Sequence, residues 1–136
     1  MNGGYNPLRW NCDTRGCFNQ FCRPKIERFA ICFPGNIAMS DIDATVEVNG
    51  RFLFLEMKSH QGRIPVGQRI YLERLTRLSS QIVAMIVCGD AQTMQCQAIC
   101  WVYGGQVFDW QPATFDDVKY LLEDFSQWAN GREIAA

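Results

Sequence analysis

Three observations predict a three-layer α/β domain with a mixed central sheet. They are a hairpin of two short strands around Asn49-Gly50, an amphipathic stretch over residues 68–79, and an unbroken apolar run over 82–88. Asn-Gly between alternating apolar residues is the strongest short-range hairpin signal, so two antiparallel neighbours are expected. The intervening helix makes a right-handed crossover, which sets the second hairpin strand parallel to the apolar run. A continuous apolar run suits a strand covered on both faces.

The remaining elements follow in chain order. Residues 1–22 read as an irregular arm that Trp10, Phe18 and Phe21 tuck against the domain. A helix is expected from Pro24, a favoured first helical position, with Ile26, Phe29, Ala30 and Phe33 at helical spacing and Pro34-Gly35-Asn36 as its end. An extra edge strand is expected at 36–39. In the hairpin, Ile42, Ala44, Val46 and Val48 share one face, and Asp41, Asp43, Thr45 and Glu47 the other. In its second strand Phe52, Phe54, Glu56 and Lys58 form one row, with both phenylalanines read as buried. Residues 59–67 form a loop broken by Gly62, Pro65 and Gly67.

The helix over 68–79 carries Tyr71, Leu72, Leu75 and Leu78 on its apolar stripe. Gln68 falls on that stripe, either facing a site or beginning the helix in solvent. Strands are expected over 82–88 and 95–102, with a turn at 103–106 and a short continuation over 107–110. Thr114 is the candidate N-cap of a helix over 115–128, with Asp116 and Asp117 in its first turn and Gly131 after its end.

At 136 residues the chain is expected to form one domain: an arm over 1–22, a core carrying the site over 24–90, and a strand and helix over 91–136. No apolar run approaches the ~20 residues of a membrane span. The N-terminus lacks a basic-then-apolar leader, so a cytosolic location is expected. A net charge of −1 gives no support to DNA binding by bulk charge, although Lys and Arg cluster locally over 9–28 and 58–77.

Seven cysteines without an export signal are expected to stay reduced. Cys32, Cys88, Cys96 and Cys100 sit among apolar residues as small core side chains. Cys12, Cys17 and Cys22 recur every five residues in a polar stretch. They read either as plain thiols or as three zinc ligands with Cys32 or His60 as the fourth.

The charged pair Glu56 and Lys58 continues an apolar row at the end of a strand. Buried charge is costly unless paired or metal-bound, so this placement asks for a partner. Mg²⁺ takes oxygen ligands, commonly one or two carboxylates with water and substrate phosphate completing the shell. Asp43 and Glu56 supply that donor type, Asp41 is the alternative to Asp43, and the Met57 carbonyl could be a third ligand. Lys58 would then orient or deprotonate an attacking water and offset phosphate charge.

The order helix, strands, helix, strand, with Asp43 on one hairpin strand and Glu56-Met57-Lys58 on the other, resembles the PD-(D/E)XK nuclease superfamily over about residues 24–90. The stretch from Phe33-Pro34-Gly35 through Asp41-Ile42-Asp43 to Glu47-Val48-Asn49-Gly50 also resembles small phage and prophage proteins of this kind. The proline before the signature aspartate is absent, since Ser40 precedes Asp41 and Ile42 precedes Asp43.

The resemblance implies a restriction-endonuclease-like core (αβββαβ, here with an extra strand and a C-terminal helix). It implies hydrolysis of DNA phosphodiester bonds dependent on Mg²⁺ or Mn²⁺, in phage-type recombination or processing, in a bacterial or phage-infected cytosol. It implies metal ligation by Asp43 and Glu56, with Glu27 on the first helix and Gln68 on the second assisting. Arg63 and Arg69 flank the loop after Lys58 and become candidate phosphate contacts. His60, the only histidine, either touches DNA or is simply solvated. Cutting two strands symmetrically with so short a chain implies a homodimer. Two other readings stand beside the nuclease: a catalytically inactive module of the same fold that binds DNA or protein, and a zinc module centred on the N-terminal cysteines.

Overall fold

In a computed structural model of the chain, Asn49 and Gly50 have φ of 50° and 84°. Both central residues of a type I′ turn need positive φ, which is why Asn-Gly is favoured there. The turn joins β1 (Ala44–Val48) to β2 (Arg51–Lys58) in an antiparallel pair. The structure describes residues 25–35, 37–40, 42–62, 64–90 and 92–131, and the chain divides into two units, Met1–Asp41 and Ile42–Ala136.

In the second unit, α1 (Val66–Arg77) connects β2 to β3 (Ile82–Asp90), and these two strands pair in parallel. Strand β4 (Gln95–Tyr103) runs antiparallel to β3, and the short strands β5 (Gln106–Val107) and β6 (Gln111–Pro112) both pair with β4. The result is a six-stranded mixed sheet in the order β1-β2-β3-β4-β5, with β6 off the path. The helix α2 (Phe115–Asn130) follows.

Alternation along the strands divides the core between the two sheet faces. Leu72 of α1 packs with Ile64, Ala84, Ile86, Cys100 and Val102 on one face. Val118, Phe125 and Ala129 of α2 pack on the other face, against Leu53, Val83, Met85, Val87 and Ile99. The expected three layers are therefore helix, sheet and helix, and the mixed α/β architecture stands. Residues 84–88 are almost wholly buried, as a strand covered on both sides should be.

The capping of α2 is the expected one. Thr114 Oγ1 accepts from the Asp117 N–H at 3.2 Å, and Asp117 Oδ2 accepts from the Thr114 N–H at 2.9 Å, forming a reciprocal capping box. Helix α1 begins two residues earlier than expected, after Pro65. Its buried row is Leu72 and Thr76 rather than Tyr71 and Leu78, which are 46% and 79% exposed. Thr76 can be buried because its hydroxyl donates to the Leu72 carbonyl at 2.8 Å and accepts from the Gly105 N–H at 3.0 Å.

Several expectations are corrected. In the first unit, Ile26–Cys32 is a 3₁₀ helix rather than an α-helix, and it buries no residue. Residues 37–40 form no strand, so β1 has no partner on its outer side among the described residues and the three-stranded meander is reduced to a hairpin. Phe52 is 41% exposed, and the buried member of β2 is Leu53, which faces α2. Cys88 and Cys100 are core side chains as expected and Cys96 is half-buried, whereas Cys32 is exposed. Among the described residues no helix is long and apolar enough to cross a membrane.

Strands β3 and β4 carry a bulge: Cys88 pairs with Ala98 and Gly89 with Cys96, leaving Gln97 as the extra residue. A Cβ at position 89 would lie 2.1 Å from the Gln95 carbonyl oxygen and 2.9 Å from the Cys96 Cα. Those neighbours are backbone, so Gly89→Ala must displace the strand. We expect it to lower stability by about 1–3 kcal/mol in thermal or denaturant unfolding; an unchanged transition would contradict this close approach.

Candidate active site

The strand register brings the two signature carboxylates together. Ala44 pairs with Leu55, so Asp43, the residue before β1, stands opposite Glu56 on the same side of the sheet. The two carboxyl groups are close enough for the charge on Asp43 to act on Glu56. Asp43 Oδ2 accepts from the Met57 N–H at 2.8 Å, which fixes Asp43 across the end of the hairpin.

Helix α1 contributes from above. Gln68, Leu72 and Thr76 lie four residues apart and so form one row. Gln68 therefore faces the sheet, where its Nε2 donates to Glu56 Oε2 at 3.2 Å. Its Oε1 is buried and has no hydrogen-bond partner among the described residues. Of the two readings open for Gln68, the structure supports the one facing the site.

Burial raises the Glu56 carboxyl from its ordinary 4.5 to about 7, and the neighbouring Asp43 carboxylate pushes in the same direction. The Lys58 ammonium, next on the same row of β2, opposes the rise only weakly. The site thus gathers Asp43, Glu56, the unpartnered Gln68 Oε1 and the Met57 backbone at the end of one strand pair.

That donor set fits a hard divalent cation. Two neighbouring carboxyls and an orphaned amide oxygen are all oxygen donors, and a cation between them would relieve both the burial and the Asp43 charge that raise Glu56. Only two of these oxygen donors are ionisable side chains, and among the described residues no cluster of three or more His, Cys, Asp and Glu forms. One or two carboxylates completed by water and phosphate is the normal Mg²⁺ pattern.

The other candidate residues are distributed differently. Lys58 and Met57 line a cleft at the carboxyl ends of β2 and β3. Arg69, one residue after Gln68, lines a separate cleft of about 400 Å³ together with Glu73, Asp109 and Trp110. His60 is exposed in the loop after β2. Glu27 stands in the first turn of the 3₁₀ helix, in the other unit. Asp41, Arg63, Cys12, Cys17 and Cys22 lie outside the described residues.

Nothing in the spacing marks Gln97, which reaches this end of the sheet only through the bulge. The available signal was Gly89, a glycine closing an apolar strand run, which often marks a bulge or a close backbone approach. No family model, curated protein or solved structure matches this chain.

Proposed function

We propose that this chain is a metal-dependent nuclease of the PD-(D/E)XK type, hydrolysing DNA phosphodiester bonds. The observation that carries the reading is the register-opposed pair Asp43 and Glu56, with Gln68 bonded to Glu56 and Lys58 next on the same row. Asp43 and Glu56 would hold the cation, with the Met57 carbonyl and Gln68 Oε1 as further oxygen donors. Bound there, Mg²⁺ or Mn²⁺ supplies Lewis acidity toward a phosphate oxygen and toward the attacking water.

The chain's own residues supply the rest. The Met57 N–H holds Asp43 in one orientation, and the Gln68 amide holds Glu56. Holding both carboxylates before substrate arrives reduces the reorganisation needed during reaction. Lys58, with three N–H donors and a positive charge, orients the attacking water and offsets charge building on the phosphate.

The test is hydrolysis of end-labelled DNA with purified protein. We expect cleavage with Mg²⁺ or Mn²⁺ and none with EDTA. Cleavage that persists in EDTA, or that Asp43→Asn leaves at the wild-type rate, would contradict the assignment.

A further inference from the structure

The sheet end beyond Lys58 carries a feature the cation site leaves unused. Strands β2 and β3 are parallel and both finish there. In open α/β sheets, ligands bind in the crevice outside the carboxyl ends of the parallel strands. A cleft of about 460 Å³ opens at this place, lined by Met57, Lys58, Ser59, Gly89, Gln92 and Gln97. Its size is within the range of small-ligand pockets.

The bulge decides what the cleft presents. Cys88 alternates with Val87 and so belongs to the α1 side of the sheet, while Ile99 belongs to the α2 side. Strict alternation from Ile99 would put Gln97 on the α2 side and Cys96 on the α1 side. Instead Cys96 packs with the α2-side cluster, and Gln97 Oε1 lies 3.8 Å from Cys88 Sγ. The extra residue has therefore re-aimed the Gln97 amide, a common consequence of a bulge beside a site.

The cleft sets a few polar groups against a largely apolar wall and is not strongly charged. Asp90 also lines it, but its Oδ1 accepts from the Gln92 N–H at 2.8 Å and the Thr93 N–H at 3.2 Å, which hold the β3–β4 turn. What remains is the Ser59 hydroxyl, the Gln92 carboxamide, the Gln97 carboxamide whose Oε1 accepts a long contact from Cys88 Sγ, the Met57 wall and one cation, Lys58. A carboxamide offers a donor and an acceptor side by side, the pattern that base edges display and a phosphate does not. In an internal duplex the faces of a base are stacked and its pairing edge is occupied. A concave cleft of this size therefore suits a base that has left the stack.

We propose that this cleft is a subsite for an unpaired nucleobase next to the phosphate that Lys58 meets, which makes single-stranded DNA or a frayed end the preferred substrate class. The proposal rests on the nuclease reading of Asp43, Glu56 and Lys58.

The experiment is fluorescence anisotropy in EDTA, with a labelled single-stranded oligonucleotide and a blunt hairpin duplex as probes. The full chain is compared with Gln92→Ala/Gln97→Ala and with Gln97→Glu. Both glutamines are exposed, so the variants should keep the wild-type circular dichroism and melting. The wild type is expected to bind the single strand about tenfold tighter than the duplex, the scale of one amide–base pairing. The double variant should lose that advantage with duplex binding unchanged, and Gln97→Glu should weaken single-strand binding. Equal single-strand affinity in all three proteins, or no preference in the wild type, overturns the subsite. Hydrolysis with Mg²⁺ but no effect of the glutamine variants would leave the nuclease and remove the subsite. A glutamine-dependent preference without hydrolysis under any metal would do the reverse.

Discussion

Replacing Lys58 by alanine is expected to slow metal-dependent DNA hydrolysis by about 10²- to 10⁴-fold, the range for a positioned acid–base group, while leaving cation affinity near that of the wild type. The separation follows from position. Lys58 follows Glu56 on one row of β2, and its charge is the smallest of the influences on the Glu56 carboxyl. Its removal should leave the oxygen donors in place. Glu56→Ala should behave differently, lowering cation affinity and rate together because a donor itself is lost. Single-turnover cleavage at saturating metal, paired with a Mn²⁺ titration followed by calorimetry, separates the two. A Lys58→Ala protein that cleaves at the wild-type rate would remove the lysine from the chemistry.

The second large effect is on pH dependence, and it needs no substrate. The Glu56 carboxyl is raised from 4.5 to about 7, first by burial and then by the neighbouring Asp43 carboxylate. Between those two values the unfolded chain has lost the proton and the folded chain keeps it. The contribution to stability is therefore fully present below pH 4.5, declines as pH rises, and is gone above about pH 7. Glu56→Gln has no such proton to lose. At pH 8 without metal it should melt higher than the wild type, and at pH 4 the two should converge.

A divalent cation acts through the same proton. Binding requires the ionised carboxylate, so it releases a proton, and affinity should rise by about tenfold per pH unit well below pH 7 and level off above it. Melting curves at pH 4, 6 and 8, with and without Mg²⁺, read both effects. A wild-type protein that gains stability between pH 5 and 7 without metal would contradict the assignment of the raised carboxyl.

The features legible in the sequence are those fixed by local chemistry. Asn49-Gly50 defines the turn because few other pairs tolerate its φ values, and once the turn is placed the register follows: Ala44 meets Leu55 and Asp43 meets Glu56. Thr114 and Asp117 form their capping box because both partners lie within one turn. Gln68 was half legible. Its spacing put it on the inner stripe, but only the buried row with Leu72 and Thr76 points it at Glu56.

What was not legible depends on neighbours distant in sequence. Ile26, Phe29, Ala30 and Phe33 fall at spacings of three and four, which over so short a run do not separate an α-helix from a 3₁₀ helix, and here i→i+3 bonds prevail. Phe52 reads as core by its row, yet Leu53 is the buried residue because Phe125 and Ala129 of α2 cover its face at that end of the sheet. The bulge at Gln97 depends on Gly89 of another strand approaching the backbone of β4. No periodicity within a single strand can report that.

The measurement that tests the central claim most directly is cleavage of a panel of labelled DNAs (linear duplex, single strand, flap and four-way junction) with Mg²⁺, Mn²⁺ or EDTA, beside folded Glu56→Ala and Lys58→Ala proteins. The account predicts metal-dependent cleavage that both substitutions remove, strongest on a substrate with an unpaired base. No cleavage of any member of the panel, or cleavage that both variants retain, would contradict it.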